Sequence, residues 1–203
     1  MSQLELKNIF IVDDDAAVRD ALGLLLLSHG YSVRTFESGE RFLAALEPNW
    51  EGVAVLDIRM DGMSGQEVFV ALRQRGSELV TMFLSGHGDI PMAVQAVKDG
   101  AYDFLEKPCT DQVLLAKLND ALGICIARRQ SRGNQEAVHS RLAKLSPRER
   151  EVMDRVLAGK LNKVIADELN ITMRTVEVHR ANVFTKMGVR SAVELAQLLA
   201  GRE

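Results

Sequence analysis

Apolar and polar positions alternate in blocks along the first 120 residues, and the blocks change period in a regular order. Ile9–Val12 is a short apolar run that ends in three aspartates. Behind it, Val18, Leu22, Leu25 and Leu26 share one face of a predicted helix from Ala16 to His29, and Gly30 stands where helices commonly stop. YSVRTF (31–36) predicts a second strand and 39–46 a short helix. VAVLD (53–57) predicts a third, buried strand, followed by a loop rich in Gly and Met. Gly65 to Gln74 reads as helix, LVTMFLS (79–85) as a fourth strand and YDFLE (102–106) as a fifth. Between the last two lies a helix from Pro91 to Asp99, with proline in its first turn. Near-continuous apolar strands alternating with helices imply an α/β doubly wound, five-stranded parallel sheet, covered on both faces.

From Asp111 the period is helical throughout. Val113, Leu114, Leu118, Leu122 and Ile126 carry it into ARRQSRGNQEAVHSRLAKL. Gly123 and Gly133 each cost about 1 kcal/mol in a helix interior, so this stretch is either one long helix or a helix followed by a joint. Ser146-Pro147 with Glu149 has the spacing of a capping box. A helix from Pro147 to Leu157 follows, then one from Asn162 to Leu169, a turn at Asn170-Ile171-Thr172, and a third from Met173 to Met187 closed by Gly188. Ser191 caps a fourth. Two helices joined by so short a turn form a helix-turn-helix, whose second member enters the DNA major groove. Its expected core is Ile165, Ala166, Leu169, Ile171, Val176, Val183 and Met187, with Arg174, Glu177, His179 and Arg180 off that stripe. The chain thus divides into an α/β domain over 6–122, a helical linker over 123–143 and a small all-α domain over 144–203.

Charge sharpens the division. Residues 1–120 carry 19 acidic and 10 basic side chains, a net of −9, and residues 121–203 carry 9 and 15, a net of +6. An acidic half joined to a basic half points to different partners, with nucleic acid for the basic one. No apolar run approaches the roughly 18 residues of a membrane span, and MSQLELKN lacks the basic start and apolar stretch of a secretion signal. Two cysteines, Cys109 and Cys125, suit a reducing compartment. The expected location is the cytoplasm, without a membrane partner.

In an open parallel sheet, ligands sit beyond the carboxyl ends of the strands. Here Asp13, Asp14 and Asp15 follow the first strand, Asp57 ends the third, Ser85 the fourth, and Lys107 lies just past the fifth. Clustered carboxylates repel and call for a cation, and hard oxygen ligands favour Mg²⁺. Such a site accepts a phosphoryl group: a carboxylate attacks phosphorus, and metal and lysine stabilise the charge on the equatorial oxygens.

IFIVDDD, VLDIRMDGMSG and LSGHGDIPMAVQAVKDGAYDFLEKP carry the resemblance that follows. Residues 8–120 resemble a response-regulator receiver domain with a flavodoxin-like fold, and GHGDIPMAVQA is particularly similar to the FixJ type. The resemblance implies Asp57 as phospho-acceptor, Asp13 and Asp14 with Asp57 as metal-binding acids, and the backbone carbonyl of Arg59 as a further ligand of Mg²⁺. It implies Ser85 as switch hydroxyl, Lys107 as phosphate-sensing lysine and Phe104 as switch aromatic. Asp15 reads as a cap of the first helix. Two departures stand out. Asp61 replaces the family's usual proline four residues after the acceptor, adding charge near the metal and mobility to the loop. Cys109 replaces an aromatic after Lys-Pro and reads as a small buried hydrophobe rather than a redox sensor.

LSPREREV, NKVIADEL and RTVEVHRANVFTKMGVRS are similar to the LuxR-type helix-turn-helix of FixJ and NarL regulators, over Leu145 to Leu199. The resemblance implies Lys163 and Lys186 as phosphate contacts, and Arg174, Thr175, Glu177, Val178 and Ala181 as groove-facing, with His179 beside them. Glu177 and Arg180 also have the spacing of an intrahelical ion pair. The implied function is a phosphorylation-controlled transcriptional regulator of a bacterial two-component system. Its partners would be a sensor histidine kinase, promoter DNA, RNA polymerase and, when phosphorylated, a second copy of itself. An enzyme of the haloacid dehalogenase type also uses a strand-end aspartate with Mg²⁺, but needs a second acid two residues on. Asp57 is followed by Ile58 and Arg59, so the chain is not expected to be that enzyme. A receiver serving as an unphosphorylated platform is disfavoured by the intact set of Asp13, Asp14, Asp57, Ser85 and Lys107.

Overall fold

Nine helices and five strands follow one another in the computed structural model, among the described residues 7–86 and 90–200. The side chains of Ser85, Ile90 and Ala93 lie outside the described part. The chain divides into two units, residues 1–129 and 130–203.

In the first unit, β1 (Asn8–Val12), β2 (Ser32–Phe36), β3 (Val53–Leu56), β4 (Val80–Ser85) and β5 (Asp103–Glu106) form one parallel sheet in the order β2-β1-β3-β4-β5. Every pair is parallel, as the block pattern predicts. The order reverses between β1 and β3, where a doubly wound sheet opens a crevice at its carboxyl edge. The register pairs Val12 with Leu56, so the next residues, Asp13 and Asp57, emerge side by side at that crevice. The Asp57 N–H donates to the Val12 carbonyl at 2.8 Å and fixes the end of β3 against β1.

Strand periodicity sorts the core into two layers. Ile9, Ile11, Val53, Val55, Met82 and Leu84 point to one face, where α1 (Ala16–Ser28) and α5 (Asp111–Ala143) contribute Leu26, Leu114, Leu118 and Leu122. Phe10, Val12, Ala54, Leu56 and Phe83 point to the other, beneath α2 (Gly39–Ala45), α3 (Gly65–Gln74) and α4 (Ile90–Lys98). Phe10, Phe36 and Phe42 gather around Trp50; Trp50 stacks on Phe10 with ring centroids 4.5 Å apart, and the Arg34 guanidinium lies 4.1 Å from the Trp50 ring. β2 and β5 are the edge strands; β2 is mostly exposed and β5 buries only Leu105, so three of the five strands, β1, β3 and β4, are buried as the apolar pattern predicts.

α5 runs unbroken through Gly123 and Gly133, which decides between the two readings of that stretch. Burying a leucine side chain contributes roughly 1.5–3 kcal/mol, so Leu114, Leu118 and Leu122 outweigh the glycine at 123. Its last residues belong to the second unit: Val138 is buried and Leu142 half-buried there. That unit adds α6 (Pro147–Leu157), α7 (Asn162–Leu169), α8 (Met173–Met187) and α9 (Ala192–Ala200). The bounds of α6, α7 and α8 coincide with those read from the sequence. Ser146 and Glu149 form the capping box, and Ser191 accepts from the Glu194 N–H at 3.1 Å. Of the expected core, Ile165, Ala166, Leu169, Val176, Val183 and Met187 are buried and Ile171 half-buried. No helix among the described residues is long and apolar enough to cross a membrane.

Two glycines make opposite predictions. A Cβ on Gly65 would lie 2.1 Å from the Asp57 carbonyl oxygen, at the turn beneath the crevice. One on Gly123, in an exposed helix position, would meet nothing within 4 Å. In urea unfolding, Gly65→Ala should destabilise the protein by about 1–3 kcal/mol. Gly123→Ala should stabilise it by roughly 0.4–1 kcal/mol. Equal effects of the two would contradict this packing.

Candidate functional site

The crevice holds two buried carboxylates. Asp13 is 3% exposed and Asp57 8%. Lys107 reaches between them from the end of β5: its Nζ donates to Asp13 Oδ2 at 2.6 Å and to Asp57 Oδ1 at 2.9 Å. Burial pushes the Asp57 carboxyl above the usual range, against the hydrogen bond and charge of Lys107; the charges of Asp13 and Asp14 add to the rise. Burial also works to lower Lys107, but its hydrogen bonds to Asp13 and Asp57, with their charges, more than reverse that and hold the ammonium above the usual lysine range. Asp13 is fixed further by the Asp15 N–H, which donates to its Oδ1 at 3.0 Å, and by Arg19, whose Nη1 donates to its carbonyl at 2.7 Å.

The three aspartates have different surroundings. Asp15 caps α1, accepting from the Ala17 and Val18 N–H groups. Asp14 is exposed, and its Oδ2 accepts from the Asp61 N–H at 3.0 Å. The loop that carries Asp61 is pinned from α2 by Glu40, whose Oε1 accepts from the Met63 N–H at 2.8 Å. It is pinned from α3 by a capping box of Ser64 and Glu67. Arg59 lies exposed in the same loop. Phe104 is half-buried against the second core layer. Ser85 closes β4, and its side chain lies outside the described residues. Cys109 is half-buried against the first core layer, and burial pushes its thiol up.

In the second unit, Asn170 takes a left-handed conformation (φ 53°) and ends α7. Thr172 then starts α8 by accepting from the Thr175 N–H at 3.1 Å. This turn leaves Lys163, Arg174, Glu177, Val178 and Ala181 exposed, opposite the buried Val176 and Val183. Thr175 is half-buried, its hydroxyl 2.8 Å from that of Thr172. His179 is half-buried too, with its Nδ1 inside the domain and without a hydrogen-bond partner. Arg180 donates to Asn162 Oδ1 at 2.9 Å, across to α7. Lys186 is engaged internally: its Nζ donates to Glu149 Oε2 at 2.6 Å.

Comparison with known proteins gives both units relatives. The response regulator receiver domain matches residues 9–119, and the luxR family of bacterial regulatory proteins matches residues 143–199. The chain belongs to the transcriptional response regulators of two-component systems. It is 44% identical to the transcriptional regulatory protein FixJ of Bradyrhizobium diazoefficiens over 191 residues, 94% of this chain and 93% of that one. It is 45% identical to the tetrathionate response regulatory protein TtrR of Salmonella typhimurium over 190 residues, 92% and 89% of the two chains. Among solved structures it is similar to the response regulator StyR (TM-score 0.87, 41% identity, covering 95% of this chain and 98% of that one). It is also similar to full-length FixJ from B. japonicum (TM-score 0.62, 42% identity, 96% of each).

Sequence reasoning missed the contacts made by Arg19, Glu40 and Lys186, and the Asp61 N–H on Asp14. Arg19 and Glu40 sit on helices whose apolar faces alone were informative, and nothing in their spacing marks their long-range partners. Lys186 reads as one more exposed cation of a basic domain. Its partner Glu149 is 4% exposed, and the hydrogen bond from Lys186, followed by that from the Ser146 N–H, lowers its carboxyl to about 2. The bond ties the start of α6 to the end of α8.

A carboxyl lowered from 4.5 to about 2 contributes stability that is present above pH 4.5 and lost as pH falls toward 2. Lys186→Ala leaves the buried acceptor with Ser146 alone and should destabilise the second unit by about 1–3 kcal/mol. Its acid unfolding, followed by circular dichroism, should move to higher pH. An unchanged acid transition would show that the pair contributes nothing.

Proposed function

We propose that Asp57 of this response regulator accepts a phosphoryl group from the phosphohistidine of a sensor kinase. The observation that carries the reading is the Lys107 bridge between Asp13 and Asp57 at the topological switch point. An Asp57 oxygen forms the bond to phosphorus as the phosphorus–nitrogen bond of the donor breaks. Lys107, already on Asp57, faces the charge that arrives.

Receiver domains of this family take up Mg²⁺ for phosphorylation. The residues present suit it: hard carboxylate oxygens, two of them already gathered on a cation, and an Asp57 carboxyl raised in part by its acidic neighbours. Mg²⁺ is commonly held by one or two carboxylates and retained waters rather than by an all-protein cage. Asp13, Asp14, Asp57 and the Arg59 carbonyl would hold it, and when bound it supplies positive charge for the phosphoryl oxygens.

Phosphorylation adds a charge of about −1.5 to −2, and Ser85 and Phe104 would relay it to the face formed by α4, β5 and the start of α5. Val94, Val97 and Val113 stand 48%, 42% and 44% exposed on these helices, which supports burial of this face in a homodimer. The dimer would place two copies of α8 in promoter DNA in the cytoplasm, where RNA polymerase is recruited. Lys163 and Arg174 supply exposed charge, and Glu177, Val178 and Ala181 supply exposed contact positions. Thr175 and His179 contribute from their half-buried places, and Lys186 acts through Glu149 as well as by its charge.

Incubation with acetyl phosphate and Mg²⁺ should add one phosphoryl mass to the protein and none to Asp57→Asn; a full gain in that variant would remove Asp57 as acceptor. On DNA, Lys163→Ala should weaken binding to operator and random sequence alike and reduce the salt slope by about 0.9. Val178 substitutions should change base preference by roughly 1–3 kcal/mol per position read. A Lys163→Ala protein with altered preference and an intact slope would invert these roles.

A further inference from the structure

The receiver resemblance implies proline at the position of Asp61, and the difference is more than a charge. Proline has no N–H. Asp61 has one, and it is spent on Asp14 Oδ2 at 3.0 Å. The donor is firmly placed, because Glu40 holds the neighbouring Met63 N–H at 2.8 Å and Ser64 with Glu67 fixes the loop's far end. Gly62, between them, has φ 80° and lies so close to Glu40 that a Cβ there would sit 2.7 Å from its Oε1. The loop is therefore tied on the C-terminal side of the amide that reaches Asp14, and on its other side β3 is anchored by the Asp57 N–H on the Val12 carbonyl.

The acids are correspondingly divided. Asp13 and Asp57 close on Lys107, whereas Asp14 is exposed and turned to the loop. Among the described residues, no three acid side chains converge as the shell of a metal ion would.

We propose that the Asp61 amide is a latch that holds the Asp14 carboxylate back from the acid pocket, so that cation uptake must break this hydrogen bond. The inference rests on the reading of Asp14 as a Mg²⁺ ligand. Asp61 acts through Asp14 and is a positioning residue. Its side chain has a separate and opposite effect: an exposed carboxylate beside the pocket attracts the cation. Backbone and side chain of one residue therefore pull the metal affinity in different directions, and substitutions separate them.

The test is a titration of the unphosphorylated full chain with Mg²⁺ alone, by calorimetry at fixed ionic strength. Asp61→Asn keeps the N–H and removes the charge, so it should weaken binding by about twofold or less, an effect that salt diminishes. Asp61→Pro removes both and should bind Mg²⁺ more tightly than Asp61→Asn, by about 3- to 10-fold for one net hydrogen bond. Asp61→Pro binding equal to or weaker than Asp61→Asn would overturn the latch. In the unsubstituted protein, the Asp61 amide proton should be protected from exchange before Mg²⁺ is added and lose protection at saturation. Protection retained at saturation would overturn the latch independently of any variant. Asp14→Asn separates the two levels of the inference. A large loss of Mg²⁺ binding upholds the ligand reading whatever Asp61 does, and unchanged binding removes both the ligand and its latch.

Discussion

Two carboxylates held side by side away from bulk water set the terms for the first unit. Two like charges about 4 Å apart repel by roughly 4 kcal/mol at the effective dielectric of a protein surface, and burial adds a desolvation cost to each. The fold meets both with one ammonium. Lys107 enters from β5, two strands away from β3, so the whole sheet from β1 to β5 must be in register before the charge is compensated. The site is consequently a product of tertiary assembly. No single segment contains both an acid of the pair and the lysine.

That dependence explains what could be read beforehand. Strand-end placement of Asp13, Asp57 and Lys107 follows from the periodicity of apolar blocks, and the crevice follows from the doubly wound pattern. The Asp13–Asp57 neighbourhood needs only that β1 and β3 lie adjacent. The second unit is legible for a different reason: Ser146, Thr172, Gly188 and Ser191 mark helix ends by local chemistry, which sequence carries directly. α5 was open on sequence alone because its two glycines and its leucines argue oppositely, and only burial shows that the leucines win.

Three of the contacts that sequence did not reveal share one property. Arg19 to the Asp13 carbonyl, Glu40 to the Met63 amide and Asp61 to Asp14 each join a side chain to a backbone group, or a backbone group to a side chain, on another element. Backbone groups are the same at every position, so no residue pattern announces them. Lys186 with Glu149 is a side-chain pair, but its partners are 37 residues apart and each has a plausible local role of its own. In the small second unit, that pair does for α6 and α8 what Lys107 does for the sheet. It satisfies a buried acid from a distant helix.

The aromatic cluster at the edge of the sheet has a spectroscopic consequence. Trp50 is the chain's one tryptophan, and Tyr31 and Tyr102, its two tyrosines, belong to the first unit as well. Residues 130–203 contain neither and are almost dark at 280 nm excitation. Intrinsic fluorescence therefore follows the receiver alone, with Trp50 in contact with both Phe10 and the Arg34 guanidinium. Far-ultraviolet ellipticity is dominated by helices of both units. Wherever the two optical records separate during unfolding, the gap between them measures the autonomy of the DNA-binding half, without a label on either.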